Sequence, residues 1–379
     1  MSVTSWQYDT PVKRPLFSAP FIFFSTLAII GILLSAKRLL GGLAFTGMND
    51  DFAWGVWKTF NVMTLTALGS SALAMGILVW LFDQKQLHSV MRTALVSSIL
   101  FYGTGMFALG FDVGRPWNFY NVFLPWRWNP HSALLEVAVC MTAYAAIFLF
   151  YENLPTFIPA AWFQKIKFVY PYMVAAAFVL PAMHQSSLGT LMVIAGPKVH
   201  ILWQTQMLPL FYLVQAVICG FASLIVILLV SCLAWQRPVD VPVLSQIAKY
   251  MSWVSFAFLV LRFADLVYRG VLSQAFVLDK YTLMFHAENL LLLVPAIVLL
   301  SDAMRRTPRI LFVTAILTGL GGLLYRFSPT TFAFRAGGTS IYFPSVVELL
   351  MCVGYISLAV SLFIFAATRY AILPDRLKD

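Results

Sequence analysis

Asp112 and Glu136 stand at the facing ends of two long apolar runs, on either side of a Trp- and Pro-rich loop, and His184 stands in a third apolar run. A carboxylate in hydrocarbon costs about 2.5–3.5 kcal/mol even on the lenient insertion scales, so a chain keeps one for ion pairing, proton transfer or ligand binding. A buried carboxylate and a neutral imidazole both titrate near neutrality. Glu136 and His184 therefore read either as a proton-exchanging pair beside a ligand or as a hydrogen-bonded strut between two helices, and the size of the carboxylate penalty favours the first. Tyr102, between apolar residues and next to Gly103 and Gly105, offers a hydroxyl that relays a proton or bonds a ligand. Its glycines let a helix or a flat molecule come close.

The elements that position these groups follow from composition. The 379 residues are 61% hydrophobic and 11% charged, against about 45–50% apolar and about 25% charged in soluble domains. Mean hydropathy is +0.84. This is the composition of a polytopic membrane protein. The net charge of +10 is spread over short loops rather than gathered on one face, which argues against a nucleic-acid partner. Cys140, Cys219, Cys232 and Cys352 all lie in apolar runs without CxxC spacing, so neither disulfides nor an iron–sulfur cluster is expected.

Apolar runs bounded by charge, Pro and Gly give ten spans, at 17–36, 55–82, 91–111, 132–151, 168–187, 205–233, 250–270, 281–301, 309–326 and 345–371. Runs of this length predict an all-α protein, because lipid forces backbone groups to pair within the segment. The first run lacks a small-residue cleavage site and reads as a retained helix. Fourteen Lys and Arg lie on the side of the N-terminus and ten on the other, Lys37, Arg38, Lys58 and Arg326 among the ten. That bias places both termini in the cytoplasm. The outward loops 112–131, 188–204 and 327–344 are rich in Trp, Pro, Gly and Asn and suit a docked partner.

An internal repeat is visible. Gly69–Leu73 (GSSAL) recurs as Gly220–Leu224 (GFASL), Asp112 as Asp265 and Glu136 as Glu288, at offsets of 151, 153 and 152. The offset covers an even number of spans, so the halves run parallel. Two four-helix bundles are expected, at 55–187 and 205–327, flanked by a first span within 1–36 and a last within 345–379.

On this register the intramembrane ionisable groups gather in the outward half, while the inward half carries hydroxyls and amides such as Ser70, Ser97, Tyr144 and Gln215. Arg262 and Asp265, three residues apart, read as a structural ion pair. The WGVW run, Trp54 to Trp57, reads as an interfacial belt, with Lys58 snorkelling outward. His88 and His200 lie in loops without metal spacing, and only His184 and His286 lie well inside spans, so a pair of haems is not expected.

FDVGRPWN, LLEVAVCMTAY, MHQSSLGTLM, KVHILWQ, LRFADLVYR and YFPSVVELL together resemble the polysulfide reductase and nitrite reductase (NrfD) membrane-subunit family. Within that family they resemble the so-called cytochrome b subunits of hydrogenase-2-type nickel-iron hydrogenases. The resemblance covers nearly the whole chain. It implies a haem-free protein of the bacterial inner membrane that reacts with menaquinone or ubiquinone near its periplasmic face. It also implies a periplasmic ferredoxin-like iron–sulfur subunit as partner, fed by the small and large subunits of a nickel-iron hydrogenase. By position in the motifs, Glu136, His184 and Tyr102 are the implied quinone and proton-transfer residues, with Asp112 a further catalytic candidate and Trp54 and Asn61 candidate quinone contacts. The second span departs from the glycine-rich pattern of the family, carrying Lys58, Asn61 and Gly69-Ser70-Ser71. Two other readings remain: the membrane anchor of a molybdenum polysulfide- or thiosulfate-type reductase, and a secondary transporter.

Overall fold

The computed structural model describes residues 10–49, 51–52, 54–149, 153, 162, 164–165, 167–335 and 342–374. Most of the connection between the fourth and fifth spans, the centre of loop 327–344, and Arg376 and Lys378 of the topology count lie outside the described residues.

Helices account for every expected span. They are α1 (Ala19–Gly41), α2 (Val56–Leu81), α3 (Met91–Asp112), α4 (Ala133–Ala143), α5 (Tyr170–Ala195), α6 (Leu208–Ala234), α7 (Val241–Tyr268), α8 (Lys280–Val298), α9 (Pro308–Phe327) and α10 (Val346–Arg369). Among the described residues nine helices are long and apolar enough to cross a membrane, and α4 is the shorter apolar one. The protein is an all-α polytopic membrane protein. Apart from one isolated β-bridge, Val199 with Phe334, the described residues contain no strand.

Helix boundaries follow local chemistry. α7 starts at Val241, nine residues before the apolar run at 250, because the Asp240 carboxylate accepts from the Val243 N–H at 3.1 Å and caps it. α5 runs to Ala195 and stops where Gly196 takes φ +55°, a left-handed conformation that a side chain disfavours. α1 continues past Ala36 through Arg38, so that residue belongs to a helix and not to a loop. Wide π turns interrupt α2 at Thr59–Thr64 and Ile77–Leu81, extend α4 at Tyr144–Leu149 and extend α9 at Ser328–Phe332. Such turns shift the helical phase and recur at functional sites.

Two helices form the centre. The apolar windows of α2 and α6 are 89% and 78% buried, against 17% for α1, so α2 and α6 face protein and α1 faces lipid. α2, α3, α4 and α5 pack around one another, as do α6, α7, α8 and α9, while α1 lies along α10. The α1–α10 contact is made by Gly31 and Gly354, where a Cβ on Gly31 would lie 2.6 Å from the Gly354 Cα. Small residues drive such crossings in lipid, where apolar burial gives no advantage over contact with acyl chains.

α2 and α6 cross at the two GSSAL-like segments themselves. Ser223 Oγ donates to the Leu68 carbonyl at 2.6 Å, and a Cβ on Gly220 would lie 2.5 Å from the Ser70 oxygen. At the N-terminal ends of α2 and α10 Glu348 clamps the chain. It completes a capping box with Ser345, accepts from Gly47 N at 2.8 Å and from the Tyr342 hydroxyl at 2.7 Å, and Tyr342 in turn accepts from Val56 N at 2.6 Å. Nearby, the His200 ring stacks on Tyr281 at 4.4 Å, and burial, with Arg335 adding to it, holds its pKa below the ordinary imidazole value.

The crossing at Gly220 gives the first prediction. Gly220→Ala must displace backbone and should lower stability by about 1–3 kcal/mol, as overpacking does. Gly319→Ala on α9, with no atom within 4 Å of the added Cβ, should leave it unchanged. Thermal unfolding of both variants in detergent checks this.

Candidate functional site

The cluster builds from α5, where Pro181 lacks the N–H that would close a helical turn and His184 follows three residues on. His184 is completely buried, and its Nδ1 lies 3.2 Å from the Val137 carbonyl on α4. A carbonyl only accepts, so in the neutral ring Nδ1 carries the proton and Nε2 presents a lone pair. Among the described residues Nε2 has no hydrogen-bond partner. The Tyr102 ring from α3 meets the His184 ring edge-on at 5.5 Å and the Tyr144 ring at 4.8 Å. Tyr144 heads the wide turn that extends α4.

Gln185 joins this cluster to the other half of the chain. Its Nε2 donates to the Tyr102 hydroxyl at 3.0 Å and to Thr66 Oγ1 at 3.3 Å. Its Oε1 accepts from Arg326 of α9 at 2.9 Å. Arg326 is completely buried, also donates to the Tyr212 carbonyl at 2.9 Å, and lies over the Tyr212 ring at 4.8 Å. The count of outward loop charges includes Arg326, and the structure corrects it. The residue lies inside the protein, because the Gln185 amide, a backbone carbonyl and an aromatic face solvate the guanidinium there.

A second polar group surrounds Asp112 at the end of α3. Trp57 Nε1 donates to Asp112 Oδ1 at 2.6 Å, while Arg38 donates to the Phe111 carbonyl at 2.8 Å and to the Asp112 carbonyl at 3.4 Å. Trp57 is fully buried and so is not part of an interfacial belt: its indole N–H is held by the carboxylate. Lys58 is half-buried with its Nζ 5.6 Å from the Trp57 ring. Asn61, fully buried in the wide turn of α2, faces the same carboxylate without a hydrogen bond of ordinary length. Gly105 of α3 lets that turn approach, since a Cβ there would lie 2.9 Å from the Asn61 carbonyl. Trp54 is half-buried against the main core just ahead of α2.

Thus the structure brings Tyr102 and His184 together, and places Asp112 and Asn61 in the neighbouring group. Glu136, half-buried in the first turn of α4, makes no side-chain hydrogen bond among the described residues. The alternative of a Glu136–His184 strut does not form among the described residues: His184 Nδ1 meets the carbonyl of the next residue, Val137.

Residues 44–328 match the family model for "Polysulphide reductase, NrfD". The chain belongs to the NrfD family. It is 36% identical over 371 residues, 96% of this chain and 95% of the relative, to the "Probable Ni/Fe-hydrogenase 2 b-type cytochrome subunit" of Escherichia coli (strain K12). It is 26% identical over 383 residues, 90% of this chain and 88% of the relative, to the "Menaquinone reductase, integral membrane subunit" of Nitratidesulfovibrio vulgaris. A shorter match, 25% over 114 residues and 30% of this chain, is to 26% of a selenate reductase subunit of Mesobacillus selenatarsenatis.

In this NrfD-family chain the second half holds its carboxylates differently. Glu288 is fully buried and ion-paired with Arg262, and it also accepts from Trp203 Nε1 and Ser328 Oγ, each at 2.8 Å. Arg262 donates further to Asn289 at 2.8 Å and lies between the Phe285 and Tyr325 rings. The expected Arg262–Asp265 pair does not form. Asp265, nearer the helix end, takes Arg269 one turn on at 2.8 Å and Thr205 at 2.8 Å, which leaves Arg262 to neutralise the deeper carboxylate. His286 of α8 has its Nε2 2.7 Å from the Ala275 carbonyl. Among the described residues no three His, Cys, Asp or Glu side chains gather to hold a metal ion.

Sequence reasoning missed Gln185 and Arg326. The neighbouring MHQSSLG run was a signal for the first, and Arg326 following a predicted apolar span a weaker one for the second.

Removing one member of the buried pair should be severe. Arg262→Met leaves Glu288 uncompensated and should destabilise by about 3–5 kcal/mol, while Arg306→Met, which breaks an exposed pair with Asp302, should lose under about 1 kcal/mol. Thermal unfolding of the two purified variants separates them.

Proposed function

We propose that the chain is the quinone-reactive membrane subunit of an oxidoreductase complex whose electrons come from a nickel-iron hydrogenase. The single observation that carries the reading is the buried His184 Nε2, an acceptor without a partner among the described residues, on a ring that meets the Tyr102 ring edge-on. The relatives support it, one named for a Ni/Fe-hydrogenase and another for menaquinone reduction. A quinone needs hydrogen-bond donors at its two oxygens and a route for two protons. Tyr102 can donate, and His184 can donate once Nε2 is protonated and accept from the product hydroxyl when it is not.

On this reading menaquinone or ubiquinone arrives from lipid among α2 to α5. Two electrons come from a ferredoxin-like iron–sulfur subunit docked outside the membrane, and two protons reach the ring through Glu136 and His184. Donors held in a water-poor site favour the charge that develops on the reduced oxygens, which is this chain's contribution to the rate. The Glu136 carboxylate, without a hydrogen bond among the described residues, exchanges protons with the outer side in this reading. Asp112 is drawn toward Trp57 and serves to hold the outer ends of α2 and α3 together beside the site. Trp54 and Asn61 line the approach at the head of α2.

The docking face in this reading is the loop after α3. Trp117 is 70% and Trp126 77% exposed there, beside Arg115 and Arg127. We place that face in the periplasm and both termini in the cytoplasm of the bacterial inner membrane, on the bias in basic residues. We also read α2–α5 and α6–α9 as the halves of a parallel repeat, and the chain as carrying no haem. A molybdenum-type reductase as partner keeps the same quinone chemistry, and the description of the family as polysulphide reductase favours keeping it as second reading.

The test uses the native complex purified through a tag on this chain and reduced with hydrogen. It should reduce a short-chain naphthoquinone without haem bands in its spectrum. Tyr102→Phe, His184→Gln and Glu136→Gln should each lower that rate by about 10²-fold or more, as loss of a proton-transferring group does, while the assembled complex still reduces an artificial dye. Sharp haem bands, or variants with undiminished quinone reduction, would overturn the assignment.

A further inference from the structure

Tyr102 could meet a ligand either as donor or as acceptor, and the hydrogen bonds behind it determine which. Arg326 has donors only, so the group facing it at 2.9 Å must be the Gln185 oxygen. The reversed amide would set two donors against each other in a fully buried place. With Oε1 held by Arg326, the Gln185 NH2 faces Thr66 and Tyr102. Thr66 has already given its proton to the Val62 carbonyl at 2.6 Å, so it accepts from Gln185. Tyr102 is left to accept the second amide hydrogen. Ser70, the other hydroxyl beside Tyr102, gives its proton to the Thr66 carbonyl at 3.0 Å and so also turns a lone pair to its surroundings. Gln185 thus fills the acceptor side of Tyr102 and leaves its phenolic hydrogen to be donated, to a ligand oxygen when one is bound and otherwise to the Ser70 lone pair.

We infer that Gln185 and Arg326 are positioning residues that fix Tyr102 as a hydrogen-bond donor toward the ligand, through the relay Arg326 to Gln185 to Tyr102. The inference rests on the quinone-site reading and adds the polarity of that site. Tyr102 arrives as donor and the neutral His184 Nε2 as acceptor, so the two contacts are unlike. A bound quinone, which has acceptors only, is therefore held first by Tyr102, and its second oxygen is served once His184 is protonated. The product quinol, which has a donor at each oxygen, meets His184 Nε2 directly. The cation in α9 belongs to the other half of the chain, so the orientation of the site depends on α9 staying docked against α5 and α6.

Gln185→Glu is the decisive substitution. A carboxylate keeps an oxygen on Arg326, as an ion pair, yet has no hydrogen for Tyr102 and turns the phenolic hydrogen inward. In the native complex, with dye reduction as the measure of assembly, Gln185→Glu should lower kcat for the short-chain naphthoquinone by at least about 10-fold, part of the roughly 10²–10³ that losing a whole oxyanion donor costs. KM should change much less. In the Tyr102→Phe background the same substitution should have no further effect, because its target is gone. Wild-type kcat in Gln185→Glu, or losses that multiply in the double variant, would overturn the inference. Tyr102→Phe with undiminished quinone reduction would instead remove the quinone-site reading beneath it. Should Gln185→Glu fail to assemble, Arg326→Lys and Arg326→Met decide. The lysine still donates to Oε1 and should keep most of the activity, whereas methionine frees the amide to turn and should not. Equal losses in those two would overturn the inference as well.

Discussion

Charge that is removed from water must be neutralised inside the protein, and the packing of this chain depends on how that is done for two guanidinium groups. Arg262 is matched by a carboxylate, Glu288, with Trp203 and Ser328 satisfying the remaining oxygen sites. Arg326 has no such partner among its hydrogen bonds. It rests on Gln185, the Tyr212 carbonyl and the Tyr212 ring. A full ion pair in a low-dielectric interior locks two elements in place, and a cation solvated by dipoles polarises those dipoles instead. The first arrangement joins α7, α8 and the end of α9 at one carboxylate. The second gives direction to the hydrogen bonds of the neighbouring helices.

Much of the fold was legible from hydropathy alone. Ten apolar runs became ten helices because lipid admits no other way to satisfy the backbone, and the glycine- and serine-bearing segments at Gly69 and Gly220 became the crossing point of the two central helices. Boundaries were less legible, since α7 extends through Lys249 and α1 through Lys37 and Arg38, where capping groups and buried carbonyls outweigh local polarity.

The site was legible in part. Tyr102 and His184 were found as polar groups in apolar surroundings, and the structure places their rings side by side. Arg326 was not found, because a count of Lys and Arg for topology treats every cation near a span end as a loop residue. Trp57 was misread for a related reason: an aromatic residue near a span end is statistically a belt residue, and only the proximity of Asp112, 55 positions away, makes it a buried donor. Both errors come from long-range partners that no local window contains.

The two halves treat equivalent positions differently, and this difference bears on function. At an offset of 152, Glu136 corresponds to Glu288 and Tyr102 to Val254. Glu288 is closed off by an arginine, an indole and a hydroxyl, and no phenol stands at the matching place on α7. Glu136 has no side-chain hydrogen bond among the described residues, and it lies in the helix that carries the carbonyl bound to His184. The second half commits its carboxylate to joining α7, α8 and the end of α9, whereas the first leaves its own without a hydrogen bond among the described residues. The proton route proposed through Glu136 and His184 lies in α2–α5, and the buried cation of α9 reaches that cluster through Gln185.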